Sequence, residues 1–121
     1  MPMRKFKHTV TADDTAAAVG SGDLDVLATP SLVLWCEVAA FQVCAQSVDP
    51  DHTTVGTTIT IDHVKGSPVG AEITVHCAEP ISDGRRLVCH VIVKDSEGEQ
   101  IATGEVHRAV VDPDRFMSKC H

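Results

Sequence analysis

The chain has 121 residues, 43% hydrophobic and 22% charged, with a formal net charge of −7, three phenylalanines, one tryptophan and no tyrosine. Such a length supports one hydrophobic core and is too short for two domains, and the composition excludes disordered and fibrous classes. The acid excess argues against nonspecific nucleic-acid binding, which needs a basic face, while leaving room for a local basic spot that meets one phosphorylated ligand.

Lys5 to Thr11 alternates weakly and reads as a first strand. Thr11 is a plausible N-cap for a short helix over Ala12 to Val19, with Asp13 and Asp14 favourable in its first turn and Gly20-Ser21-Gly22 ending it. Asp23 to Ala28 reads as a short connection, with a strand turn at Asp25 to Leu27. The clearest helix start follows: Thr29 can cap, Pro30 fits the first helical position, and helix-compatible residues run to about Ser47 before Asp49-Pro50-Asp51. From Thr54 the period changes to two. Thr54 to Lys65, Ala71 to Glu79, Arg86 to Asp95 and Gln100 to Asp112 read as strands rich in Val, Ile and Thr. Turns at Lys65-Gly66-Ser67-Pro68, Ser82-Asp83-Gly84 and Ser96-Glu97-Gly98 separate them, and connections this short favour antiparallel neighbours. Arg115 to Cys120 is a short tail.

The long helix carries the most apolar stretch of the chain, LVLWCEVAAFQVCA from Leu32 to Ala45. A helix apolar almost all round is buried, so the sheet must curl about it or a second subunit must cover it. Both together describe an α+β hot-dog fold, one antiparallel sheet wrapped around a central helix and usually dimerised, with residues 1–121 as a single domain. The stretch is too short to span a bilayer, and no apolar run follows the basic start MPMRKFKH, so neither a membrane partner nor a signal peptide is expected. The five cysteines lack any CxxC and lie mostly in apolar runs, as expected of reduced, buried thiols in a cytoplasmic protein.

Glu37 is the one charged residue between Asp25 and Asp49, inside that apolar helix. A desolvated carboxylate finds a partner, keeps its proton or serves chemistry. In the strand Thr58 to Val64, His63 shares a face with Ile59 and Ile61, the face that should look at the helix. In the last strand Arg108 shares a face with Ala102, Gly104, Val106 and Val110. Three inward ionisable groups are more than a core needs. The candidate residues also have plain structural readings: Thr29 as an N-cap, Glu37 as a carboxylate bonded to backbone or to Arg108, His63 as a satisfied core histidine, Gly56 as a strand-start glycine that permits close packing, and Arg108 as a structural partner of Glu37 or Glu105. A zinc site is the sharper rival, from His76-Cys77 and Cys89-His90. Strand neighbours point to opposite faces, however, and no spacing matches a zinc pattern, so no metal is expected. His52, His107 and His121 read as solvent-facing.

These residues resemble the fluoroacetyl-CoA thioesterase family of hot-dog acyl-CoA hydrolases. The resemblance lies in Ala28-Thr29 with Glu37 eight residues later, in Val55-Gly56-Thr57 with His63 seven residues after the glycine, and in the run Gly104 to Val110 (GEVHRAV), and it extends from about residue 8 to 117. It implies that Thr29, Glu37 and His63 are the catalytic set, that Gly56 lies close to the acyl group, and that Arg108 supports the site. It further implies an acyl-CoA substrate, no cofactor, and a homodimer or dimer of dimers. Thioester hydrolysis needs a nucleophile or base, a proton donor for the thiol and donors for the oxyanion. Glu37 can attack or activate water, His63 can transfer protons and hold the carboxylate in place, and Thr29 adds a hydroxyl at a helix N-terminus. Arg85-Arg86 and Lys65 are candidates to meet coenzyme A phosphates, or simply solvated surface. The fluoroacetyl-specific pattern carries a longer phenylalanine-bearing lid before the threonine, whereas Thr11 to Ala28 is short and free of aromatic residues. Two alternatives keep an acyl-CoA ligand: a non-catalytic binding module, and an enoyl-CoA hydratase of the same fold, whose paired Asp and His in one loop are missing from the sequence.

Overall fold

A computed structural model describes residues 3–121; Met1 and Pro2, part of the stretch read above for a signal peptide, lie outside the described residues. Strand β1 (Arg4–Thr9) leads through a 3-10 turn at Ala12–Asp14 and a short helix α1 (Ala16–Val19) to the long helix α2 (Thr29–Ala45). Then follow β2 (Thr53–His63), β3 (Glu72–Cys77), β4 (Ile81–Asp83), β5 (Arg86–Asp95), β6 (Gln100–Val111) and a terminal helix α3 (Pro113–Ser118). The expected continuous helix over Ala12 to Val19 is broken at Thr15. There the extended backbone pairs with Leu27 and the hydroxyl caps α1 through Ala18 N–H at 3.2 Å. Gly20 ends α1 in the left-handed conformation at φ 83°, which glycine adopts without a Cβ penalty.

The sheet is antiparallel, in the order β1-β3-β5-β6-β2, with β4 added to β5. The two longest strands, β2 and β6, pair along almost their full length, so β2 ends at one edge of the sheet and cannot neighbour β3. The Val64–Ala71 connection therefore crosses from one side of the sheet to the other. It is tied down on the way by Leu27 N–H to the Ser67 carbonyl (2.8 Å) and by Val64 N–H to the Ile101 carbonyl (2.8 Å). The expectation that short connections join neighbours fails at this one place. The expected tail is also partly helical, because the Asp112 carboxylate caps α3 by accepting from Arg115 N–H at 3.1 Å.

Alternate residues of β3 (Ile73, Val75, Cys77) and β5 (Leu87, Cys89, Val91, Val93) are buried and meet Leu32, Cys36, Ala39, Ala40, Val43 and Cys44 of α2. Small side chains on that helix face let it lie close on the sheet. The thiols of Cys36, Cys44, Cys77 and Cys89 are buried and free, and burial pushes the Cys36 thiol up to about 12. The adjacent imidazoles His76 and His90 point to the other side of the sheet, so the thiols and imidazoles of the zinc alternative do not form one ligand set. The helix is not encircled within one chain: Leu34, Val38 and Phe41 stay 57%, 41% and 44% exposed along one stripe. Among the described residues, no helix is long and apolar enough to cross a membrane.

Candidate active site

The start of α2 is set by the chain before it. Leu27 and Ala28 are held extended by backbone bonds to Ser67 and Asp14, so the turn into helix falls at Ala28. Ala28 is the N-cap and has no side chain to cap with; Thr29, expected to cap, is already the first helical residue. Its hydroxyl is thereby released from the backbone and meets His63 Nδ1 at 2.8 Å. The first bond of the helix runs from Leu32 N–H to the Ala28 carbonyl, which leaves the N–H groups of Thr29 and Ser31 ahead of it and none on Pro30.

His63 ends β2 on its inward face. Its Nε2 is buried without a hydrogen-bond partner. Burial lowers its pKa below the ordinary 6.5, and the nearby Lys65 backbone opposes this without bonding geometry. Burial thus favours the neutral imidazole. Beside it opens a cavity of about 290 Å³ between Ala16, Ser21, Val26, Ala28, Thr29 and His63.

Glu37 lies two helical turns further on, about 12 Å along the axis at 1.5 Å per residue. Of the two partners offered above, His63 and Arg108, it meets Arg108, whose Nη1 donates to Oε2 at 3.2 Å. The carboxylate is also less buried than an all-apolar helix suggests, at 37% side-chain exposure, because it flanks the buried stripe of Cys36, Ala39 and Ala40. Arg108 itself is buried. Its Nε donates to Thr54 Oγ1 at 2.8 Å, its Nη2 to the Thr54 carbonyl at 3.0 Å, and its guanidinium carbon stands 5.3 Å from the centre of the Phe41 ring. This arginine has two fixed acceptors in Thr54, so its remaining nitrogen is aimed at Glu37.

Gly56 pairs with Arg108 across the β2–β6 ladder, and a Cβ there would run into the Glu37 carboxylate. Even-numbered Gly56 and odd-numbered His63 can share the inward face only because the register shifts between Gly56 and Thr58. The extra residue, Thr57, reverses the alternation and bends the strand. The single chain thus divides the five candidate residues into two groups on one helix face: Thr29 with His63, and Glu37 with Gly56 and Arg108. Thr54 and Phe41, which hold Arg108, were not singled out from sequence, and neither was the bulge. A glycine within an alternating strand was the available signal for the bulge.

Lys65 is occupied, with Nζ 2.9 Å from both Asp95 and Glu99, and those bonds raise its pKa. His107, expected to face solvent, is half-buried: Nε2 lies 3.0 Å from Glu105 Oε1 and Nδ1 is enclosed without a partner.

The profile of the fluoroacetyl-CoA-specific thioesterase family matches residues 10–114. The fluoroacetyl-CoA thioesterase of Streptantibioticus cattleyicolor is 32% identical over 95 residues, covering 78% of this chain and 68% of that relative. Among crystal structures, a variant of the fluoroacetyl-CoA-specific thioesterase FlK in complex with fluoroacetate and CoA superposes with a TM-score of 0.84 at 26% identity, over 96% of this chain and 94% of the other. A thioesterase superfamily member from Thermus thermophilus, at 18% identity, shares the fold with a TM-score of 0.88 over 96% of this chain and 85% of its own. With the sheet-on-helix architecture and a profile match over most of its length, this chain belongs to the fluoroacetyl-CoA-specific thioesterase family.

Proposed function

We propose that this chain hydrolyses the thioester of a small acyl-CoA, acting as one domain in a cytoplasmic homodimer whose site is completed by two copies. The observation that carries the proposal is the division of the candidate set along α2. A neutral imidazole bonded to a hydroxyl sits at the helix N-terminus, and an arginine-held carboxylate sits two turns along.

A two-fold axis across α2 near Leu34 would lay two helices antiparallel through their exposed Leu34, Val38 and Phe41 stripes. Thr29 and His63 of one copy would then stand opposite Glu37 of the other. The long edge strand β2 offers unpaired ladder groups beside the same helix, which favours such an association. In the assembled site the thioester carbonyl would point at the helix N-terminus, where free N–H groups stabilise an oxyanion. Glu37 would either deprotonate a water that attacks the carbonyl carbon, that proton being relayed through His63 to the thiolate as the C–S bond breaks, or attack the carbon itself, the thiolate then taking a proton from water through His63 and a second water cleaving the mixed anhydride. Arg108 would fix the carboxylate, and Gly56 would leave it room.

The cavity beside Thr29 holds only about 290 Å³ and no phenylalanine or tryptophan lines it, so the proposed acyl group is small and selection by an aromatic lid is not part of the reading. The test is release of free thiol from a panel of short acyl-CoA esters by wild type, Glu37→Gln, His63→Ala and Thr29→Val. Losses of about 10²-fold or more in the first two support the machinery. Undiminished turnover in both removes it.

One observation favours a second reading. The Glu37–Arg108 pair can be purely structural, leaving an acyl-CoA-binding module without catalysis. Tight binding of CoA esters with no thiol release would select it.

A further inference from the structure

Of the ten Lys and Arg residues, only Lys65 and Arg108 form salt bridges among the described residues. Arg4, Lys5 and Lys7 lie on the edge strand β1, where basic residues commonly guard against edge-to-edge pairing, and Lys94 lies on the interior strand β5 at the same side of the sheet. The other four, Arg85, Arg86, Arg115 and Lys119, gather where the β4–β5 turn meets α3, in a chain with seven more acidic than basic residues.

Arg85, Arg115 and Lys119 line a groove of about 250 Å³ together with His52, Asp112 and Phe116. A smaller hollow of about 180 Å³ shares His52 and Arg85 with it and continues towards Val48 at the C-terminal end of α2. The position of Arg85 is fixed, because its carbonyl accepts from Val110 N–H at 2.7 Å. Arg115 and Phe116 are placed by the cap of α3: Asp112 Oδ1 accepts from Arg115 N–H, and the Asp112 carbonyl accepts from Phe116 N–H at 2.9 Å. The one carboxylate in the groove therefore already serves the helix, and His52 is paired with Asp51 at 2.8 Å. Three cations remain without a carboxylate partner around a flat, 38% exposed aromatic ring.

We propose that this groove binds the phosphorylated nucleotide end of the coenzyme A ester. The proposal rests on the acyl-CoA reading and names where that substrate is recognised. Two chemical features match. Guanidinium forks and an ammonium satisfy phosphate oxygens, and the Phe116 face offers a stacking platform for a purine. The location also fits. Val111 in the groove follows Arg108 by three residues of extended strand, about 10 Å, a span that the pantetheine arm bridges easily. The groove takes over the phosphate-binding role considered above for Lys65, whose charge is spent on Asp95 and Glu99.

The test pairs calorimetric titration of the full chain with adenosine 3′,5′-bisphosphate, using adenosine as the uncharged control, with steady-state hydrolysis of one acyl group carried on CoA and on pantetheine. Binding of the bisphosphate that weakens about tenfold in Arg85→Ala and in Arg115→Ala/Lys119→Ala supports the proposal. So does a matching fall in the ratio of kcat/KM for the CoA ester to that for the pantetheine ester. Phe116→Ala should weaken binding and Phe116→Trp should restore it, with thermal unfolding measured on every variant to confirm folding. No bisphosphate binding, or binding indifferent to these substitutions, overturns the proposal, and so does an unchanged ester ratio. If neither ester is hydrolysed while the bisphosphate still binds and the charge variants lose it, the hydrolytic reading fails and the groove stands.

Discussion

The carboxylate of Glu37 occupies the space that a side chain at Gly56 would need, and Arg108 Nη1 borders the same space. Gly56 does not have a positive φ, so it is required for room and not for backbone freedom. Gly56→Ala should push the carboxylate off Arg108 at a stability cost of ~1–3 kcal/mol, as for other overpacked sites. The fall in kcat should exceed what that cost implies, because the displaced group is the proposed reacting one. Thermal unfolding and thiol release measured together decide the matter; full activity in a stably folded Gly56→Ala protein would break the link between the two residues.

Arg108 and Glu37 share one ion pair but are not equivalent. Arg108 is buried and also bonds both oxygens of Thr54, whereas the Glu37 side chain is over a third exposed and its charge is partly screened. Arg108→Ala strands the two Thr54 acceptors and should cost about 2–5 kcal/mol, at ~1–3 kcal/mol for each buried group left unpaired. Glu37→Gln keeps the shape and a hydrogen-bonding oxygen and should change stability by less than about 1 kcal/mol. If Glu37 is catalytic, the milder substitution for folding will be the more damaging one for turnover. Denaturant unfolding beside steady-state kinetics reads both quantities, and retained activity in Glu37→Gln would favour the structural role.

The strands and the long helix were legible because their signals are local: period-two alternation in β3 and β5, turn residues between them, and an apolar run with Pro30 near its start. The inward faces of His63 and Arg108 followed from the same alternation. What was hidden depends on contacts distant in sequence. Thr29 looks like a cap because Thr-Pro is a good local start, yet Ser67 and Asp14 fix Leu27 and Ala28 and move the helix start by one residue. Arg108 was one of the partners offered for Glu37, but spacing did not choose it over His63, since it is 71 positions away and is selected by Thr54. The crossover between β2 and β3 was missed because turn chemistry gives the place of a turn and not the strand it leads to.

His63 gives a pH prediction with a definite sign. Burial favours its neutral form, so its pKa in the folded chain lies below the ordinary 6.5. His8 and His76 are shifted in the same direction, again chiefly by burial, with the charges of Lys94 and Lys5 adding to the effect at His76 and Asp14 opposing it at His8. Well above pH 6.5 these groups are neutral in both folded and unfolded chains and do not alter stability. As the pH falls through 6.5 the unfolded chain binds protons first, so stability declines until the folded-state values are passed. For activity, kcat/KM should hold through neutrality and fall on the acid side only below pH 6.5. His63→Gln should remove that limb together with most of the rate, while His76→Gln should leave the limb in place. An acid limb centred above pH 6.5 would show that another group controls it.

The exposed stripe on α2 makes the last prediction. Leu34, Val38 and Phe41 recur at helical spacing on the face away from the sheet, and only Phe41 has a partner of its own, the Arg108 guanidinium. Exposed apolar side chains grouped in this way mark an interaction surface. If that surface pairs two copies across Leu34, then Leu34→Glu places like charges next to each other at the two-fold axis while leaving the buried face of Leu32, Cys36, Ala39 and Val43 untouched. The variant should fold with a sheet of the same strand content and should run as a monomer by light scattering at concentrations where wild type is dimeric. Its turnover should fall about as far as that of Glu37→Gln, because neither Thr29–His63 nor Glu37–Arg108 is a complete site alone. A mixture of His63→Ala and Glu37→Gln chains supplies the complementary measurement. Heterodimers regain one intact site of two, so partial activity should return on mixing two inactive proteins, in proportion to subunit exchange. A fully active monomeric Leu34→Glu chain, or no recovery on mixing proteins shown to exchange subunits, would place the whole reaction within a single chain.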